Sequence, residues 1–270
     1  MLVPIQFTHH CESYHTAGVQ AFTMKLISAA MTLVLCAGTS ITTLAGEQNL
    51  PEFYAQYDVY RSGVKIAKTD RSFSRMQDGN LLYRSETNVT GLVSMFRQDH
   101  IIEESIWQFA DGKVIPHSYE YIYSGNKDKD KNIKIAFDWK KNQITNSING
   151  SSWYMPTTEG IVDKLLYQYS IMLDMQAGKS KLTYKVADGG KEKLYEFEAL
   201  GEETIDTPLG KLKTIKIVRH FPNSTRQSIF WSAPEVGYLP VKLENVDDGV
   251  KTIVTITSLT GYGYEKVTQK

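Results

Sequence analysis

The stretch His100–Tyr123, HIIEESIWQFADGKVIPHSYEYIY, decides the fold class. On both sides of Asp111-Gly112 the residues alternate between apolar and polar, and β-branched and aromatic side chains dominate. A period of two sends successive side chains to opposite faces of a strand. Asp-Gly between two such runs is a strong two-residue hairpin signal. His100–Phe109 and Val114–Tyr123 therefore read as an antiparallel pair.

The same pattern continues outward in both directions. Phe53, Ala55, Tyr57 and Val59 share one face of a first strand, Ser62-Gly63 turns it into Val64–Met76, and Asp78-Gly79 opens Leu81–Val89. Ile133, Ile135, Phe137 and Trp139 alternate in a later strand, and Asn149-Gly150 joins Gln143–Ile148 to Ser151–Met155. Further strands follow, divided by Asp188-Gly189-Gly190, Thr207–Gly210, Pro222–Ser224 and Asp247–Gly249. One helix is expected, over about 158–177. Thr158 can cap it, Glu159 and Asp163 suit its positive end, and Gly178 can end it in a left-handed conformation. Its Ile161, Leu165, Tyr169 and Met172 form an apolar stripe.

About thirteen strands and one helix cannot lie flat, because each strand is rotated against its neighbour. The fold expected is mainly β: a strongly curved antiparallel sheet, barrel or half-barrel, with the helix packed against its concave side. No linker or repeat divides it, and residues 46–270 read as a single domain.

Ahead of that domain, Lys25 precedes the short apolar run Leu26–Cys36, and Thr43-Leu44-Ala45 puts small residues at the positions a signal peptidase reads. The run breaks at Gly38-Thr39-Ser40, too early for a membrane span. Met24–Ala45 is expected to be a cleaved signal peptide, Met24 the true start with residues 1–23 untranslated, and the product periplasmic without a transmembrane anchor. Leu35, just before Cys36, stands where a lipoprotein signal needs a small residue. Cleavage would remove both cysteines, Cys11 and Cys36, together with Lys25 and Glu12. Thirty basic and thirty acidic residues then become 29 of each, 30 less one on either side. That balance gives no electrostatic case for nucleic acid.

No catalytic or metal motif emerges, and no cofactor is expected. His100, His117 and His220 lack the short-range pairing of a zinc site. Glu103 and Glu104 follow His100, yet as neighbours on a strand they must face opposite ways. No G-x-S-x-G elbow occurs, and Gly189-Gly190-Lys191 and Gly210-Lys211 sit between strands where a phosphate loop would feed a helix. Asp128–Lys131 reads as a solvated loop.

The aromatic residues carry more. If the curved sheet encloses a hydrophobic cavity, Trp139, Trp153, Tyr154, Leu166, Tyr169 and Trp231 are expected to line it, because strand alternation or the helix stripe aims them inward. The alternative is a plain packed core. The deciding observation is whether the space between helix and sheet is empty.

Phe53–Gly63 (FYAQYDVYRSG), Arg84–Ser94 (RSETNVTGLVS), His117–Tyr123, Ile135–Thr145 with Asn149-Gly150, Asp163-Lys164-Leu165, Tyr184–Gly190 (YKVADGG), Gly201–Gly210 (GEETIDTPLG) and Phe230–Leu243 (FWSAPEVGYLPVKL) together resemble the exported proteobacterial family called domain of unknown function 3108. The resemblance implies an exported, mostly β protein and brings no activity or binding residue with it. In rhythm, the segment around Trp231, Pro234 and Gly237–Val241 is also similar to periplasmic lipoprotein carriers. The expectation is a non-enzymatic periplasmic protein that binds an apolar or amphipathic ligand, lipid or lipoprotein, in envelope assembly or maintenance. The alternatives are an interaction module for an envelope protein partner and, behind it, an envelope hydrolase.

Overall fold

The computed structural model describes residues 50–264 except 97, 126–129 and 222–223. The expected leader, Met24–Ala45, and the segment before it lie outside the described residues, as does part of the Asp128–Lys131 loop. Asn49–Lys270 forms one compact unit.

The first eight strands are β1 (Phe53–Arg61), β2 (Val64–Arg75), β3 (Leu81–Val89), β4 (His100–Ala110), β5 (Lys113–Ser124), β6 (Lys131–Asp138), β7 (Gln143–Ile148) and β8 (Ser151–Pro156). A two-residue strand β9 (Ile161–Val162) leads into helix α1 (Leu166–Gln176). Six more follow: β10 (Leu182–Asp188), β11 (Lys191–Thr207), β12 (Gly210–His220), β13 (Gln227–Ala233), β14 (Leu239–Asp247) and β15 (Val250–Thr260).

All fifteen lie in one sheet, ordered β8-β7-β6-β5-β4-β3-β2-β1-β15-β14-β13-β12-β11-β10-β9. Successive strands pair as hairpins from β1 to β8 and from β10 to β15, and β1 pairs antiparallel with β15, from Tyr54 opposite Thr260 to Arg61 opposite Thr252. Only β9 with β10 is parallel among the described pairs. The sheet curls as its strand number demands, but it does not close by hydrogen bonds: β8 and β9 are its two ends. Side chains bring the ends together. β9 lies close to β5, and the Trp153 indole of β8 rests where a side chain on Gly190, in the β10–β11 turn, would sit.

The helix departs from expectation at its start. Gly160 takes φ +75° and breaks the run. Asp163 rather than Thr158 caps α1, its carbonyl accepting the N–H of Tyr167 and its Oδ1 the N–H groups of Leu165 (2.9 Å) and Leu166 (2.8 Å). The Thr158 hydroxyl instead donates to Glu192. The end is as expected, with Gly178 at φ +70°. The stripe is not. Leu166, Tyr167, Tyr169, Ser170, Ile171, Met172, Leu173 and Met175 are all buried, so the helix is enclosed on nearly every side. It fills the curve of the sheet.

Candidate functional site

The predicted lining residues separate once the chain is folded. Leu166 is wholly buried and Tyr169 nearly so. The Tyr169 ring lies 4.7 Å from that of Phe73, 5.2 Å from Trp107 and 5.4 Å from Tyr83. Contacts this short fill the space around the Tyr169 ring, where α1 meets strands β2–β4. Trp139 falls in the turn after β6, where its Nε1 donates to the Pro116 carbonyl at 2.8 Å. Trp153 is half-buried against Gly190.

Two of the six do not point inward. Tyr154 is 68% exposed, because the side chain facing the core at this end of β8 is that of Trp153, the preceding residue. Trp231 is buried, but in a second cluster with Val218 and Ile229, on the face opposite Phe230 of the main core. There it donates to Glu203 Oε2 at 2.9 Å and lies under the ammonium groups of Lys242, at 4.4 Å, and Lys216, at 5.3 Å. A register shift between Trp231 and Ser232 sits beside it.

Strand alternation separates the two glutamates after His100 as expected. Glu104 pairs with Arg84, and His100 meets Glu86 at 2.7 Å. Glu103 turns inward and accepts the Tyr119 hydroxyl at 2.7 Å. Among the described residues no group of three or more His, Cys, Asp and Glu is placed to hold a metal.

The polar groups that sequence reasoning missed lie on the inner face near the start of α1. Ser105 donates to Asp163 Oδ1 at 2.7 Å, with both residues wholly buried. Oδ1 thus accepts three hydrogen bonds while Oδ2 has no partner. Burial pushes the Asp163 carboxyl up to about 6; the hydrogen bonds from Leu166, Ser105 and Leu165 oppose the shift, and the nearby Glu103 adds to it. No substrate can reach this serine–carboxylate pair, and its role is to hold the helix. Near it the Arg71 guanidinium donates to Gln168 Oε1 at 2.8 Å and lies 5.6 Å from the Tyr57 ring. Across the curve Arg219 stacks on Tyr195 at 3.2 Å. Arg71 shares its strand face with the buried Thr69 and Phe73, but its polar sequence neighbours Asp70 and Ser72 made it look like an ordinary solvated strand residue.

The sheet ends form the other distinctive feature. β9 is two residues long and buried. β8, SSWYMP, carries no charge, and four of its six residues are exposed. Because Asn149-Gly150 closes a two-residue hairpin with Ile148 opposite Ser151, the backbone groups of Ser151, Trp153 and Met155 face β7. Those of Ser152 and Tyr154 face away. Among the described residues no second strand pairs with them.

These features define a mainly β, barrel-like protein with a helix filling its curve. The chain belongs to the family described as Protein of unknown function (DUF3108), whose model matches residues 56–255. No curated protein matches it. Among solved structures it is similar to a beta-barrel-like protein of domain of unknown function DUF1849 from Brucella abortus. That likeness has a TM-score of 0.53 at 10% identity and covers 80% of this chain and 100% of the other, so it concerns the fold alone. MucB in complex with MucA aligns over 78% of this chain and 87% of its own, at 8% identity and a TM-score of 0.15, too low to inform the fold.

Proposed function

We propose that this is a non-enzymatic module of the cell envelope that holds an extended segment of a protein partner along β8. The observation that carries the reading is the asymmetry of the sheet ends. Exposed edges invite strand addition, and folded proteins guard them with shortness, charge or cover. β9 is guarded by shortness and burial; β8 has six residues, carries no charge and is mostly exposed. An added strand would pair with the N–H and C=O groups of Ser152 and Tyr154, its register ended by Pro156, which has no N–H. The leader sequence supports the periplasm as the place of action.

Binding of a lipid or other apolar ligand inside the fold has weaker support, since rings occupy the expected site between α1 and the sheet. Ser105 and Asp163, the buried serine–carboxylate pair, give no support to hydrolysis.

The test is photo-crosslinking in cells from a benzoylphenylalanine at position 152, exposed on β8, with the product identified by mass spectrometry. One stoichiometric protein partner is expected. Tyr154→Pro should abolish its capture, because it removes an outward N–H while leaving every bond to β7 in place. Tyr154→Ala, which keeps that N–H, should retain most of it. Equal capture by wild type and Tyr154→Pro would refute strand addition.

A further inference from the structure

A second stretch of open edge shows how this sheet guards itself elsewhere. β10 pairs with β11 only from Lys191 to Phe197, so among the described residues the rest of β11, Glu198–Thr207, has β12 alone beside it. That stretch carries Glu198, Glu202, Glu203 and Asp206 and no base, and a register shift interrupts it between Ala199 and Gly201. Charge and bulges are common protections of a free strand. β8 has neither. Its pairing with β7 runs without a register shift, and residues 142–158, which include both strands, hold no charged side chain in a chain that is 22% charged. The charges flanking this segment are already matched, Lys141 by Asp138 at 3.0 Å and Glu159 by Lys113 at 2.8 Å.

Neutrality indicates which partner the edge suits. A charge on an edge can be met by the opposite charge of a different protein, whereas beside a two-fold axis every charge meets its own copy. An edge without charge along two whole strands fits a second copy of itself. The backbone selects the register, because outward groups must face outward groups in an antiparallel pair. With the axis at Trp153, Ser152 lies opposite Tyr154 of the second copy, and the N–H and C=O of both residues are used on both copies. An axis at Tyr154 would set Ser152 opposite Pro156, which cannot donate. An axis at Ser152 would set Tyr154 opposite Gly150, which lies in the turn at φ +89°. The Trp153 register also brings the two indole side chains together at a non-hydrogen-bonded position, where cross-strand side chains are closest, each resting on its own Gly190.

We infer that, free of an envelope partner, the protein pairs β8 with β8 of a second copy across a two-fold axis at Trp153. The inference rests on the reading of β8 as a strand-accepting edge, and adds what covers that edge when the partner is absent. One short strand from each copy makes a small interface, so the pairing is weak and a partner can displace it.

The test is sedimentation velocity of the protein recovered from a Gram-negative periplasm, from about 5 μM to about 500 μM, where a small interface associates. A dimer that grows with concentration is expected, and Tyr154→Pro should weaken it on the order of tenfold or more. Tyr154→Lys, a change at an exposed position, should also weaken it at low salt, because two ammonium groups then share one face beside the axis. Mixing Tyr154→Lys with Tyr154→Glu should restore a mixed dimer. These two variants keep the test open if Tyr154→Pro does not fold. A monomer at every concentration, or a dimer that none of the variants disturbs, would overturn self-pairing. Capture of a different protein from position 152 by a chain that stays monomeric would overturn self-pairing alone; a charge-swapped dimer without such capture would overturn the envelope partner alone.

Discussion

Replacing Asp163 with Asn should make the protein more stable at neutral pH and remove most of one pH dependence. The Asp163 carboxyl titrates at about 6 in the fold against 3.8 when unperturbed. Between those values the native state holds a proton that the unfolded chain has released, so native stability falls as pH rises from about 4 to about 6 and stays lower above it. Two units correspond to about 3 kcal/mol. Asn keeps the helix cap and can still accept from Ser105 and the two backbone N–H groups, but it cannot ionise. Its amide nitrogen would occupy the place of Oδ2, which has no partner already, so one unsatisfied atom replaces another. Urea unfolding followed by tryptophan fluorescence, at half-unit steps from pH 4 to pH 8, measures the difference directly. Asp163→Asn should overtake wild type progressively across pH 4–6 and exceed it by up to about 3 kcal/mol at pH 7. Asp163→Ala, which loses the cap and leaves the Ser105 hydroxyl unsatisfied, should be less stable than Asp163→Asn by about 2 kcal/mol or more. A gap between wild type and Asp163→Asn that stays constant from pH 4 to pH 7 would refute the account.

Trp107→Ala, beneath the Tyr169 ring, should cost about 3–5 kcal/mol in the same unfolding measurement; a loss under 1 kcal/mol would mean the interior is looser than its ring contacts indicate. Gly190→Ala meets both a φ of +74° and the Trp153 indole, and should destabilise by about 1–3 kcal/mol, a thermal shift of several degrees. Gly112→Ala, also at positive φ but with open space around it, should cost less, and the reverse order would show that β8 does not pack on the β10–β11 turn. Intact mass of the protein recovered from a Gram-negative periplasm should correspond to a chain starting at Gly46, and a mass retaining Met24–Ala45 would argue for an uncleaved leader.

The sequence by itself determined the class of fold and nearly every turn. Strand alternation and dipeptides such as Asp111-Gly112 and Asn149-Gly150 are local signals, because a period of two and a positive φ are properties of a few adjacent residues. Local geometry alone also separates Glu103 from Glu104, since adjacent strand residues face opposite ways. Tertiary structure alone decided what lies under the helix at Tyr169: the Tyr169, Phe73, Trp107 and Tyr83 rings come from four elements, and only their meeting fills the space between them. It alone decided where the helix begins, since Asp163 gains its cap position through a buried bond from Ser105, far away in sequence. It moved Trp231 to the outer face, where a register shift lies beside it, and turned Tyr154 to solvent. It also set the Arg71 guanidinium of β2 on Gln168 of α1, a contact no local pattern records, because the meeting of a strand with a distant helix depends on how the whole sheet curls.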